Sequence, residues 1–158
     1  MRNIFRAIIA LITLSCCTPK NGVESQARIK SLLNETNKET GIRPISYNEF
    51  IEKIYDFEHD SIQKWTNKSN RPIVIDFYAT WCAPCKKLLP SLEALAKEYP
   101  NVDFYKVDTQ EEERLAIAFN IQSVPTLMFI PKEGEPYLSL GYISKGEIKQ
   151  IIKELVKY

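Results

Sequence analysis

Asp76 to Lys87 reads DFYATWCAPCKK, with Cys82 and Cys85 two residues apart, behind an apolar run and ahead of a segment with helical character. Such a pair is a redox couple, half of a metal site or a structural bridge. A closed zinc site takes four ligands, and outside the pair the chain has only Cys16, Cys17 and His59 to give as Cys or His. The first two fall in an N-terminal export-type segment, and His59 sits in the polar stretch FEHDSIQK, where a solvated histidine is the expected reading. No metal and no cofactor beyond the cysteines themselves are therefore expected. A purely structural bridge is weak because disulfides stabilise mainly by closing long loops. A Cys-x-x-Cys next to alternating strands and helices reads as a redox couple.

That alternation is visible on both sides of the motif. Short β-branched or aromatic runs, PIVIDFYA, VDFYKVD, PTLMFI and YLSLGY, read as strands. Three Ser/Thr-x-x-Glu signatures, Ser46/Glu49, Thr109/Glu112 and Ser144/Glu147, read as capping boxes that open helices. A further helix starts at Cys82, and Pro90 inside it is expected to kink it. Strands separated by helices imply parallel crossovers, while PKEGEP between the last two strands implies an antiparallel hairpin. The expected fold class is α/β, a mixed and mostly parallel central sheet with helices on both faces. Phe77, Phe104, Phe119 and Phe129 are its expected core aromatics.

The chain of 158 residues has room for one domain of this kind and little more. A formal charge of +1 carries no electrostatic footprint for nucleic acid, and no nucleic-acid partner is expected. The N-terminus is informative. Arg2 and Arg6 precede an uncharged apolar run, Ala7 to Leu14, followed by Ser15, Cys16 and Cys17. That is the plan of an export signal, and the run falls short of the roughly twenty apolar residues that span a bilayer. A cysteine closing such a run resembles the bacterial lipobox, with Cys16 or Cys17 as the lipidated residue. Residues 1–17 thus read as a lipoprotein-type signal, 18–42 as a polar tether and 43–158 as the domain. Export places the domain in a compartment where disulfides persist.

VIDFYATWCAPCKKLLP, YKVD, IQSVPTL and LGYISKGEIK stand in the order and spacing of the thioredoxin family, and from about Ile45 to Val156 the chain resembles that family. It is especially similar to the exported, lipoprotein-type thioredoxins sometimes called thioredoxin P. Ala83 in place of the usual Gly and a long helical lead-in before the first core strand are departures. The resemblance implies a thioredoxin fold and a protein-disulfide reductase that works through a mixed disulfide.

Cys82, at the strand-to-helix junction, faces unsatisfied N–H groups and the positive helix end, which favour the thiolate; it is the expected nucleophile. Cys85, one turn on, is the expected resolving thiol. Asp76 on a buried strand is the expected base for Cys85, against the alternative of a surface-facing strand residue. Lys106 matches the family lysine beside that acid, with an exposed strand lysine as the other reading. The resemblance further implies a cis Val124–Pro125 bond facing the cysteines, with the Val124 backbone left free for an extended client; a plain edge-strand proline is the alternative. Trp81, Ala83, Pro84, Gly141 and Tyr142 would complete a shallow apolar rim.

The Ala83-Pro84 pair brings no charge or imidazole to the Cys82 thiolate, so a reducing couple is expected rather than an isomerase or oxidase. The expected setting is the periplasmic side of the cell envelope, on a lipid anchor. Expected partners are disulfide-bearing client proteins and a membrane thiol reductase as electron donor, with the protein itself a monomer. A membrane-tethered holdase with an idle fold is the rival from another class.

Overall fold

The computed structural model describes residues 41–59 and 65–157. The export signal, Cys16 and Cys17, and the proposed tether up to residue 40 lie outside the described residues. The elements run β1 (Ile42–Pro44), α1 (Tyr47–Lys53), β2 (Ile73–Tyr78), α2 (Ala83–Glu98), β3 (Asp103–Asp108), α3 (Glu113–Ala118), β4 (Thr126–Ile130), β5 (Tyr137–Leu140) and α4 (Lys145–Leu155). No described helix is long and apolar enough to cross a membrane.

The strands form one sheet in the order β1-β3-β2-β4-β5. Period-2 alternation divides β2 between two cores. Ile73, Ile75 and Phe77 pack with Phe50, Ile54 and Leu115 beneath α1 and α3. Val74 packs with Leu88, Leu92, Leu95, Phe129, Ile148 and Ile152 beneath α2 and α4. Helices thus cover both faces. Asp76 shares the parity of Val74, so the strand aims it at the α2 side. Of the four expected core aromatics, Phe77, Phe104 and Phe129 are buried, whereas Phe119 is partly buried against the α1 cluster.

Three expectations need correction. The sheet is mixed and, as expected, mostly parallel in strand direction, with β1, β2, β3 and β5 running one way, but β4 runs against them where a parallel crossover after β3 was expected: β1–β3 and β2–β3 are parallel, while β2–β4 and β4–β5 are antiparallel. A helix does separate β3 from β4, yet α3 has six residues and rises about 9 Å, about half the length of the six-residue β3. It does not carry the chain back along the strand, so β4 starts at the end where β3 stopped. Second, β1 was not expected as a strand; Ile42, Arg43 and Pro44 pair with Phe104, Tyr105 and Lys106 at the sheet edge.

Third, the Thr109/Glu112 capping box does not form. The N-cap of α3 is Glu112, with no side-chain hydrogen bond to the helix. Thr109 instead donates its N–H and its Oγ1–H to the Tyr78 carbonyl, at 2.9 and 3.1 Å. Glu112 spends its carboxylate on the Tyr47 N–H of α1, at 2.9 Å. The boxes at Ser46/Glu49 and Ser144/Glu147 are both complete, each worth ~1 kcal/mol to its helix start. Pro90 lies within α2, which runs as one helix from Ala83 to Glu98.

Candidate active site

The sequence turns from β2 into α2 at Cys82, which is the N-cap of the helix with an extended backbone. Its Sγ accepts the Cys85 N–H at 3.2 Å, and Pro84, early in the first turn, has no N–H to offer. A thiolate at this position receives both the free amides and the positive end of a sixteen-residue helix. Cys82 and Cys85 are joined by a disulfide, with Cα atoms 5.3 Å apart. In this oxidised form exposure does not separate the two cysteines, which are 2% and 3% accessible. Their surroundings do. Cys85, but not Cys82, lines a cavity of about 240 Å³ with Asp76, Tyr78, Lys86 and Lys106.

Asp76 is 2% exposed, and its Oδ1 has no hydrogen-bond partner among the described residues. Burial pushes its carboxyl up to about 7, with the Lys106 charge opposing the rise. The two residues are directly opposite each other in the parallel β2–β3 register. The Lys106 Nζ stands 5.8 Å from the centroid of the Tyr78 ring, within reach of a cation–π contact. Asp76 is thus an acid poised near neutral pH beside Cys85, the setting of a group that exchanges protons at physiological pH. In Lys106→Met the Asp76 midpoint is expected to rise above about 7, because the one charge that lowers it is gone. Carboxylate carbon shifts followed through a pH titration read this directly, and an unmoved midpoint would show that Lys106 does not act on Asp76.

The third part of the site comes from the two loops flanking the β4–β5 hairpin. The Val124–Pro125 peptide is cis, and Val124 packs against the cluster of Ala79, Cys82 and Cys85. Among the described residues the Val124 backbone makes no hydrogen bond within the chain. Gly141 donates its N–H to the Pro125 carbonyl at 2.8 Å with φ of +80°, a conformation that an L side chain rarely adopts. That bond ties the start of the β5–α4 loop to the Pro125 turn. Trp81 is 69% and Tyr142 53% exposed, and Ala83 and Pro84 are also exposed, so apolar surface surrounds the disulfide. His59 points its Nδ1 at the Asp56 carboxylate, 3.0 Å away. Among the described residues no three His, Cys, Asp or Glu side chains cluster to hold a metal.

A redox-active Cys-x-x-Cys at a helix start, a buried acid under it and a cis proline across from it are found together here, and the thioredoxin family model matches residues 53–154. The chain belongs to the thioredoxin family. It is similar to a thioredoxin of Borreliella burgdorferi, 44% identical over 107 residues that make up 67% of this chain and 90% of the relative. Thioredoxin H1 of Arabidopsis thaliana is 40% identical over 94 residues, 60% of this chain and 81% of the relative. Among solved structures, chloroplastic thioredoxin z superposes with a TM-score of 0.63 at 26% identity, over 75% of this chain and 96% of that one. Thioredoxin NaTrxh of Nicotiana alata gives a TM-score of 0.57 at 30% identity, over 72% and 90%. As a member of that family the chain is a thiol–disulfide oxidoreductase that reduces disulfides of client proteins, with Cys82 and Cys85 as its couple.

Tyr78, Lys86 and Lys87 were not singled out by the sequence. Tyr78 carried a usable signal, since it shares the strand parity of Asp76 and so lines the same cavity.

Proposed function

We propose that the chain is a disulfide reductase of the cell envelope, anchored by lipid on Cys16 or Cys17 and resupplied with electrons by a membrane thiol reductase. The observation that carries the catalytic part is the cavity that joins Cys85 to the unpartnered carboxylate of Asp76. The Cys82 thiolate attacks a client sulfur, forming a mixed disulfide and releasing one client thiolate, which takes a proton. Asp76 accepts the Cys85 proton through the cavity, and Lys106 limits how far the Asp76 affinity rises. The Cys85 thiolate then attacks Cys82 Sγ, releasing the second client thiolate, which takes the proton held by Asp76, and leaving the Cys82–Cys85 disulfide. Two electrons have passed to the client. During this exchange the free Val124 backbone pairs with an extended client segment, and Trp81, Ala83, Pro84, Gly141 and Tyr142 supply the apolar rim around it.

Location and donor rest on the sequence of the first seventeen residues. In an oxidising compartment a couple of low potential runs down unless a membrane partner restores it, so location and potential together imply the donor. The test is the reduction potential of the protein against a glutathione or dithiothreitol series. A value near −270 mV is expected, because Ala83 and Pro84 add no charge that stabilises the Cys82 thiolate. A value of about −180 mV or higher would make the protein an isomerase or oxidase. Intact mass of the N-terminal peptide from membrane fractions tests the anchor, and an unmodified soluble chain would remove it. An absence of insulin-disulfide reduction would favour the holdase.

A further inference from the structure

Beside the disulfide, Ala83, Pro84, Lys87 and Tyr142 line a notch of about 470 Å³. Lys87 is its only charged wall. Residues three and four apart share a helix face, so Pro84 and Ala83 set the face of α2 from which Lys87 projects. Tyr142 forms the opposite wall, held in place by the Gly141 N–H on Pro125. The first turn of α2 contains no acidic residue, and among the described residues Lys87 makes no ion pair or hydrogen bond. Its neighbour Lys86 lines the Asp76 cavity instead. The redox step gives Lys87 no work.

We propose that this notch receives a carboxylate side chain of the client, so that the protein prefers disulfides with an Asp or Glu two residues from the attacked cysteine. The inference rests on the reductase reading above and names the class of client that suits it. The reach follows from geometry. Lys87 is five residues, about 7.5 Å of helix rise, beyond Cys82, and an extended client covers about 3.3–3.6 Å per residue, so two residues together with the long lysine side chain bridge the distance. Ala83, Pro84, Lys87 and Tyr142 are all exposed, so the pair forms in an open notch and is screened by salt, and the helix N-terminus adds a field of the same sign. With a net charge of +1 the chain has no strong global field, so the preference is local to the notch.

The experiment compares reduction rates of three disulfide-bonded peptides, identical except for Glu, Gln or Lys two residues from the cysteine. For the full-length protein the Glu peptide is expected to react about two- to fivefold faster than the Gln peptide, with the Lys peptide slower still. The Glu-to-Gln ratio should shrink as salt rises from low to about 0.5 M. In Lys87→Gln the ratio should fall to one, in Lys87→Glu it should invert, and in Lys86→Gln it should persist. Because the readout is a ratio within each variant, changes in overall rate do not affect it. Equal rates for the three peptides in the unaltered protein, or a Glu preference surviving in Lys87→Gln, would overturn the proposal while leaving the reductase reading intact. If no peptide is reduced, the reductase reading fails and this inference falls with it.

Discussion

Cys82→Ser protein is expected to show no disulfide reduction above the uncatalysed background, whereas Cys85→Ser protein is expected to stop after the first exchange and retain clients as mixed disulfides. The asymmetry follows from the N-cap. Only the Cys82 sulfur occupies the cap position that accepts a helix N–H and meets the positive helix end. Cys85 lies inside the helix beside the Asp76 cavity, placed to attack Cys82 rather than a client. Insulin reduction and non-reducing electrophoresis of each variant with client proteins read the two outcomes. Retention of clients by Cys82→Ser, with none by Cys85→Ser, would reverse the roles.

Asp76→Asn is expected to slow turnover at pH 7 by about a hundredfold, within the range of a lost general base. Above about pH 9 the loss should become small, since a thiol with an ordinary midpoint of about 8.5 then ionises unaided. The same substitution changes stability in a direction set by linkage. The folded protein holds the Asp76 proton up to about 7, against an ordinary 3.8. Between those values the folded state binds more protons than the unfolded one, so stability falls as pH rises and levels off above about 7. The full fall is on the order of 4 kcal/mol. Asn removes it and leaves a buried amide that costs about 1–3 kcal/mol. At pH 8 the variant should therefore unfold at higher denaturant than the unaltered protein, and at pH 4 it should not. Parallel denaturation curves at the two pH values give the answer; equal differences at both would show that Asp76 ionises freely in the folded state.

The cysteines and the acid were legible because local rules suffice for them. A Cys-x-x-Cys at a strand-to-helix junction needs only the boundary, and a polar residue with apolar neighbours on both sides in a buried strand needs only the period. The capping boxes show where local rules stop. Among the described residues Ser46 and Ser144 bond within their own boxes, which close. Thr109 and Glu112 have the same spacing, but tertiary partners take both side chains, the Tyr78 carbonyl and the Tyr47 N–H. The direction of β4 was hidden for a related reason, because a helix between two strands does not reveal whether it is long enough to return the chain. β1 was missed because three residues, one of them Arg43, give no alternation to read. Lys87 looked like any solvated helix lysine until Tyr142, 55 positions away in sequence, closed the other side of its notch.

Because β4 starts where β3 stops, the loops after β2, β3 and β5 and the turn before β4 all meet at one end of the sheet, where Tyr78, Asp108, Thr126 and Leu140 stand side by side. The opposite end carries the turn between Ile130 and Tyr137, separated from Thr126 by the length of β4, about 13 Å. No residue of that turn lines the cavity or the notch. A fluorophore, an affinity handle or a coupling site grafted between Lys132 and Glu135 would therefore report on or immobilise the protein while leaving its chemistry untouched.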